Sequence, residues 1–306
     1  MRIALVAMPE LSPWIRGESW QIPNLALTMV AGNTSERHHV RIFDLNRRRG
    51  DVRKAVEKIF DEFQPDILGL SAMTFMYDSA RAIAWMAKER NPEIVTVLGG
   101  YHASMLYREI AESWDKHLLD WLVRGEGDFA MDEIAEVVEG KRAPSEVLGA
   151  SYKDGDHFVH NPDRPLQPLD RLDLPARHKR AYRGAHQGFA LADVFETSRG
   201  CTLACNFCSI NTMYGKSHRF FPIEHVTNDL QQMARRMVRE AFCADDNMTN
   251  ELDRLEALCD AMAHNRKKLR VDIRITTNPN CAGLAQTQKL GNKMAAAGPS
   301  RIVLGI

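Results

Sequence analysis

From its first residues the chain alternates short apolar, β-branched runs with longer stretches of helical patterning. RIALVAM (2–8), VRIFDL (40–45), DILGLSA (66–72), IVTVLGG (94–100) and DWLVRGE (120–126) are near-continuous apolar runs, the pattern of strands buried on both faces. Between them, Pro23 to Glu36, Asp51 to Phe63, Asp78 to Asn91 and Phe129 to Glu139 read as helices. Strands separated by helices pair in parallel, because a parallel neighbour needs a long crossover. The expected fold is therefore α/β, opening with a doubly wound, Rossmann-like parallel sheet. Ligands of such sheets bind outside the carboxyl ends of the strands.

The texture changes after Gly140. LGASYKDGDHFVHNP (148–162) reads as a hairpin turning on Asp154-Gly155, and Pro162, Pro165, Pro168 and Pro175 then mark an extended linker. A second series follows: ALADVFETSRG, REAFCADDN, LRVDIRITTN and RIVLGI as strands, with helices over Pro222 to Arg239, Leu252 to Asn265 and Thr287 to Ala297. Four βα-type repeats suggest part of a barrel, and four strands do not close one. The expected organisation is a first domain over 1–140, a hairpin and linker over 141–190, and a partial (β/α) barrel over 191–306. On this reading the sequence lacks the end of its barrel.

Composition narrows the partners. Among 306 residues, 40 basic side chains balance 40 acidic ones, so no net field favours nucleic acid or an anionic membrane. The apolar run at the N-terminus is too short to span a bilayer and no cleavage site follows it, which points to the cytoplasm. In that reducing compartment, clustered thiols are metal ligands or catalysts more often than disulfides.

Three of the six cysteines, Cys201, Cys205 and Cys208, fall within eight residues as C-x3-C-x2-C directly after a predicted strand. A structural zinc site takes four protein ligands, and no well-spaced fourth is at hand; His218 lies ten residues on. A 4Fe-4S cluster held by three cysteines leaves one iron open. The stretch C-T-L-A-C-N-F-C resembles the signature of the radical S-adenosylmethionine (SAM) enzymes, in which that iron chelates the amino and carboxylate groups of SAM. The resemblance implies that Phe207 lies by the adenine. It also implies that the reduced cluster cleaves SAM to methionine and a 5′-deoxyadenosyl radical. FCADDNMT (242–249) resembles a "VDDN" segment of one branch of this superfamily and implies SAM contacts from Asp245, Asp246 and Asn247. RIVLGI resembles the start of that branch's "GIES" segment. Cys243, Cys259 and Cys281 stand in apolar surroundings and read as buried small hydrophobes.

The first domain has no G-x-G-x-x-G after its first strand. It carries LGLSAMT (68–74), LGGYHA (98–103) and RGEGD (124–128) at successive strand ends, and these resemble the cobalamin-binding half of cobalamin-dependent radical SAM enzymes. The resemblance implies a cobalamin groove lined by Ser71, Thr74, Gly99, Gly100, His102, Gly125 and Glu126. The D-x-H-x-x-G motif that supplies a cobalt-ligating histidine is missing from Met8 to Pro23, and Asp115-Lys116-His117 matches it only in part, so base-off cobalamin without a protein histidine is expected. His38-His39 reads as surface. The methylthiotransferase branch, with three upstream cysteines, is disfavoured because no cysteine precedes Cys201.

The group resembled includes the anaerobic magnesium-protoporphyrin monomethyl ester cyclase and the radical SAM hopanoid methylases. It implies methyl transfer from methylcobalamin to an unactivated carbon of a small-molecule substrate, with an electron donor such as flavodoxin or ferredoxin. Ring closure or rearrangement on the same machinery is the alternative. A reading of another class is a cobalamin-binding module with an inactive radical SAM half.

Overall fold

The computed structural model describes residues 1–9, 22–45, 51–182, 185–187, 190–203, 205–206, 208–269, 273–277 and 288–302. The described chain forms two compact units, the second beginning in its main part at Gly184.

The first unit is built on strands β1 (Arg2–Ala7), β2 (His39–Asp44), β3 (Ile67–Ser71), β4 (Val95–Gly99), β5 (Trp121–Val123), β6 (Ala150–Asp154) and β7 (His157–His160). They form one sheet in the order β2-β1-β3-β4-β5-β6-β7. The first five run parallel, and β6 and β7 are antiparallel additions. The order reverses between β1 and β3, the switch point at which doubly wound sheets open a crevice. Helices α1 (Leu25–Gly32), α2 (Val52–Glu62), α3 (Tyr77–Arg90) and α4 (Tyr101–Glu112) provide the crossovers, and α5 (Ala130–Val138) leads from β5 to the antiparallel β6.

Each of the five parallel strands feeds two cores with alternate residues. Ala4, Val6, Leu68, Leu70, Leu98 and Leu122 point to the face packed by α2, α3 and α4. Ile3, Leu5, Ile67, Val97, Trp121 and Val123 point to the opposite face, packed by α1 and α5. On α2 the buried positions Ala55, Val56, Ile59 and Phe60 repeat at helical spacing, and Asp51 caps the helix by accepting from the amides of Arg53 and Lys54.

Several expectations shift at this level. The hairpin segment extends the first sheet through the β5–β6 pairing, and Leu172–Arg183 packs back on the first unit, so that unit continues well past residue 140. The hairpin turns on Gly155 and Asp156, one residue later than expected, because Asp154 still pairs with His157. Helix α4 was not anticipated: its pattern is broken at Leu106, whose backbone leaves the helical region. His38 is buried rather than superficial, its ring close to Asp132 and Glu139.

The second unit carries β8 (Ala185–Gln187), β9 (Ala190–Phe195), β10 (Ser198–Arg199), β11 (Arg219–Phe220), β12 (Glu240–Cys243), β13 (Arg274–Thr277) and β14 (Pro299–Ile302). Its main sheet has the order β14-β13-β12-β9-β8. The four strands β9, β12, β13 and β14 are parallel, as the βα repeats require, while β8 adds an antiparallel edge. Helices α6 (Ile210–Tyr214), α7 (Ile223–Arg235), α8 (Leu252–Leu269) and α9 (Gln288–Ala297) complete it. Cys243 and Cys259 are buried, and burial raises both thiols, Cys259 to about 11. Both stay protonated and inert at neutral pH. Cys281 lies outside the described residues.

Candidate cofactor sites at two carboxyl edges

At the carboxyl edge of the first sheet, Ser71 and Gly99 are register partners on β3 and β4. The chain then ties itself closely: the Ala72 amide donates to the Gly99 carbonyl at 3.1 Å, and the His102 amide donates to the Ala72 carbonyl at 3.1 Å. Gly100 makes that crossing possible. It has φ +91°, and a Cβ there would sit 2.8 Å from the Ala72 carbonyl oxygen. Only glycine tolerates both demands. Ser104 Oγ donates to the Gly100 carbonyl at 2.9 Å and accepts from the Gly125 amide at 3.0 Å, so the β4 and β5 loops form one edge. A Cβ on Gly125 would meet nothing within 4 Å, which leaves the backbone there open to a ligand.

The side chains around this edge divide into exposed and buried sets. Thr74 is exposed, next to Phe75 at 70% and Met73 at 40% exposure. An apolar pair held open at the carboxyl end of a parallel sheet is surface available to a ligand. His102 is buried, its ring stacked on Tyr77 with centroids 4.0 Å apart. Tyr77 donates its hydroxyl to Asp115 at 2.8 Å. Burial, and then the Asp115 carboxylate, raise the tyrosine's pKa, while burial lowers that of His102. His102 Nδ1 has no hydrogen-bond partner. Glu126 is half-buried and already engaged. The loop from Met8 to Pro23 falls largely outside the described residues. Tyr77, Ser104 and Phe75 were not anticipated, and an aromatic following a β3 turn motif is the one signal that pointed to any of them.

The second site begins where β9 and β12 leave their sheet side by side. Cys243 pairs with Phe195, and the Ala244 amide donates to the Phe195 carbonyl at 2.8 Å. The two exiting segments therefore run together, and residues 245–250 fasten onto residues 197–202 in order. Asp245 accepts from the Thr197 amide, the Thr197 hydroxyl and, at 2.7 Å, the Ser198 hydroxyl. Asp246 accepts from the Gly200 amide at 2.9 Å. Asn247 Nδ2 donates to Cys201 Sγ at 3.8 Å, and Thr202 Oγ1 donates to Asn250 Oδ1 at 2.8 Å. Gly200, with φ +88°, precedes the first cysteine; a Cβ there would collide with the Ser217 carbonyl. Strands β10 and β11 pair antiparallel and close the loop at its base. The Cys208 amide donates to the Cys205 carbonyl at 3.1 Å, forming a tight turn inside it.

This arrangement revises the expected roles. Asp245 is 5% exposed and spends its carboxylate on three donors within the chain, so it braces the cysteine loop rather than facing a ligand amine. Asp246 is exposed as a residue, yet its carboxyl group is partly withdrawn from water, and that desolvation raises its pKa against the opposing Gly200 amide. Asn247 is buried against a cysteine sulfur. Phe207 and the final Gly305-Ile306 lie outside the described residues.

Cys205 is exposed, Cys201 and Cys208 are half-buried, and all three are free thiols. Among the described residues no three His, Cys, Asp or Glu side chains converge as ligands of a single metal ion. In a 4Fe-4S cluster each cysteine thiolate binds its own iron. Three soft thiols on one loop are the donor set that a 4Fe-4S cluster takes.

The chain is similar to known proteins in sequence and in fold. Residues 20–135 match the B12 binding domain family. The chain is 30% identical to the uncharacterized methyltransferase PH0819 of Pyrococcus horikoshii over 81% of its own length and 54% of the relative's. It is 30% identical to the hopanoid C-3 methylase of Methylococcus capsulatus over 68% of its own length and 40% of that enzyme's. The chain therefore spans about half the length of the first relative and less of the second. Among solved structures, the cobalamin-dependent S-adenosylmethionine radical enzyme OxsB, with aqua-cobalamin and S-adenosylmethionine bound, matches with a TM-score of 0.78 at 19% identity. That match covers 100% of this chain and 44% of OxsB, and it fixes the fold.

Proposed function

We propose that this chain, which carries a B12 binding domain and is related to the cobalamin-dependent radical SAM enzymes, is the cofactor-bearing part of an enzyme that transfers a methyl group to an unactivated carbon of a small molecule. The observation that carries the proposal is the cysteine loop: three soft, free thiols on a loop pinned from outside, directly after a parallel strand.

When bound, the cluster would supply the electron that cleaves SAM, and cobalamin would carry the methyl group. The chain's own residues hold and orient. Cys201, Cys205 and Cys208 are the thiolates offered to iron. Asp245 and Asp246 fix the backbone from Thr197 to Gly200, which sets where the first thiolate stands. Ser71, Thr74, Gly99, Gly100 and Gly125 offer hydroxyls and bare backbone to a nucleotide tail, and His102 would support this edge from its buried side, its amide donating to the Ala72 carbonyl. Met73 and Phe75 would offer apolar surface to the bound cobalamin. The exposure of Cys205 suits electron delivery from a small carrier such as flavodoxin or ferredoxin. Free thiols in both exposed and buried positions fit a reducing cytoplasm. No helix among the described residues is long and apolar enough to cross a membrane.

The test uses protein loaded anaerobically with iron, sulfide and cobalamin, then given SAM and titanium(III) citrate. The expected products are 5′-deoxyadenosine and S-adenosylhomocysteine by mass spectrometry, the former lost in Cys208→Ala. Neither product from protein holding both groups would contradict the proposal. Turnover with 5′-deoxyadenosine alone, and no methyl consumed, would favour ring closure or rearrangement instead.

A further inference from the structure

Asn247 has a fixed orientation. Its side-chain oxygen accepts from the Thr249 amide at 3.3 Å and from the Thr249 hydroxyl at 3.0 Å. A backbone N–H only donates, so the atom facing Thr249 must be Oδ1, and the amide nitrogen is left to face the other way. On that side, at 3.8 Å, is Cys201 Sγ. Asn247 is 5% exposed and Cys201 is half-buried, so water competes weakly for either group. Among the described residues Cys201 is the cysteine of the three that receives such a side-chain donor.

We propose that Asn247 is a positioning residue that donates an N–H···S hydrogen bond to the Cys201 thiolate and thereby raises the reduction potential of the cluster. This rests on the cluster reading above. Reduction adds negative charge to a cluster whose thiolate sulfurs carry part of it. A donor aimed at one sulfur stabilises the reduced form more than the oxidised one, and hydrogen bonds to the sulfurs are among the terms that set cluster potentials. The aim is built in before any cluster arrives, because Thr249 holds the amide and the neighbouring Asp245 and Asp246 hold the loop. No reorganisation is then needed when the thiolate acquires its iron.

The test is an electron-paramagnetic-resonance-monitored reductive titration of the reconstituted full chain, with iron and sulfide counted in each sample. Asn247→Leu keeps the volume and removes the donor. Thr249→Val keeps Asn247 and removes one of the two bonds that aim it. The expected result is full iron occupancy in all three proteins, with the midpoint shifted to more negative potential in Asn247→Leu. Thr249→Val should show a smaller shift of the same sign. Equal midpoints at equal iron content would overturn the inference while leaving the cluster reading intact. If Asn247→Leu loses its iron, an unshifted Thr249→Val overturns the inference and a negative shift there upholds it. A wild-type chain that takes up no cluster would overturn both readings together.

Discussion

On the function proposed above, the two carboxyl edges hold their cofactors in opposite ways. The first is made by leaving side chains out: Gly100 lets two backbone segments cross, Gly125 leaves open space, and the remaining contacts are backbone groups, short hydroxyls and exposed apolar surface. The second is made by adding side chains from a neighbouring segment, so that 245–250 grip 197–202 residue by residue. A large ligand bound by many weak contacts needs a broad, accessible surface. A small inorganic group bound by three covalent links needs those three atoms held in place, and little else. The first edge should therefore respond to added bulk, the second to removed atoms.

The largest expected effect is at the thiols. Cys205 is exposed and makes no core contact, so Cys205→Ala should leave the fold untouched, abolish retention of the cluster and leave cobalamin binding unchanged. Parallel iron and cobalt analysis would check this, and loss of both metals would break the separation of the two edges.

Next comes the brace. Asp245→Ala leaves the Thr197 amide and two hydroxyls buried without their acceptor, at a cost of about 2–4 kcal/mol. The second unit should melt earlier, with protection from hydrogen exchange lost there and retained in the first unit. Adding bulk at the other edge gives the converse. Gly100→Ala forces a Cβ to 2.8 Å from the Ala72 carbonyl oxygen at φ +91° and should cost about 1–3 kcal/mol. It should weaken cobalamin retention with iron content unaffected.

The smallest effect is on pH. Burial lowers the pKa of His38, His102 and His160 in the first unit, and of His218 in the second, from the ordinary value of 6.5. The unfolded chain then binds more protons than the folded one, so stability rises with pH across this range. It is fully present above 6.5 and declines as pH falls below that value. Denaturation followed by domain-resolved hydrogen exchange should show the first unit losing more between pH 7 and pH 5, about the imidazole range. Equal losses in the two units would remove this asymmetry.

The sheet strands were legible because both-face burial leaves an unbroken apolar run, as in Ile3 to Ala7, and the crossover helices because their apolar positions recur at helical spacing. Helix α4 was not, because Leu106 interrupts its pattern. The short pair β10–β11 was not either: two residues per strand carry no periodicity. The cysteines were legible because few residue types can hold iron. The aspartates were read for their charge and assigned to a cationic ligand, whereas the fold spends Asp245 on hydroxyls and an amide. Sequence spacing marks which segments leave neighbouring strands together. It does not tell whether a carboxylate turns to the next segment or to a ligand, since that depends on the register between β9 and β12.

The central claim is that one chain holds two different cofactor sites at two carboxyl edges, and metal analysis after anaerobic loading with iron, sulfide and hydroxocobalamin tests it most directly. The account predicts about four irons and about one cobalt per chain, with iron alone lost when Cys201, Cys205 and Cys208 are replaced by alanine. Cobalt without iron in the unaltered chain would contradict the cysteine loop as a cluster site, and iron without cobalt would contradict the glycine edge of the first sheet.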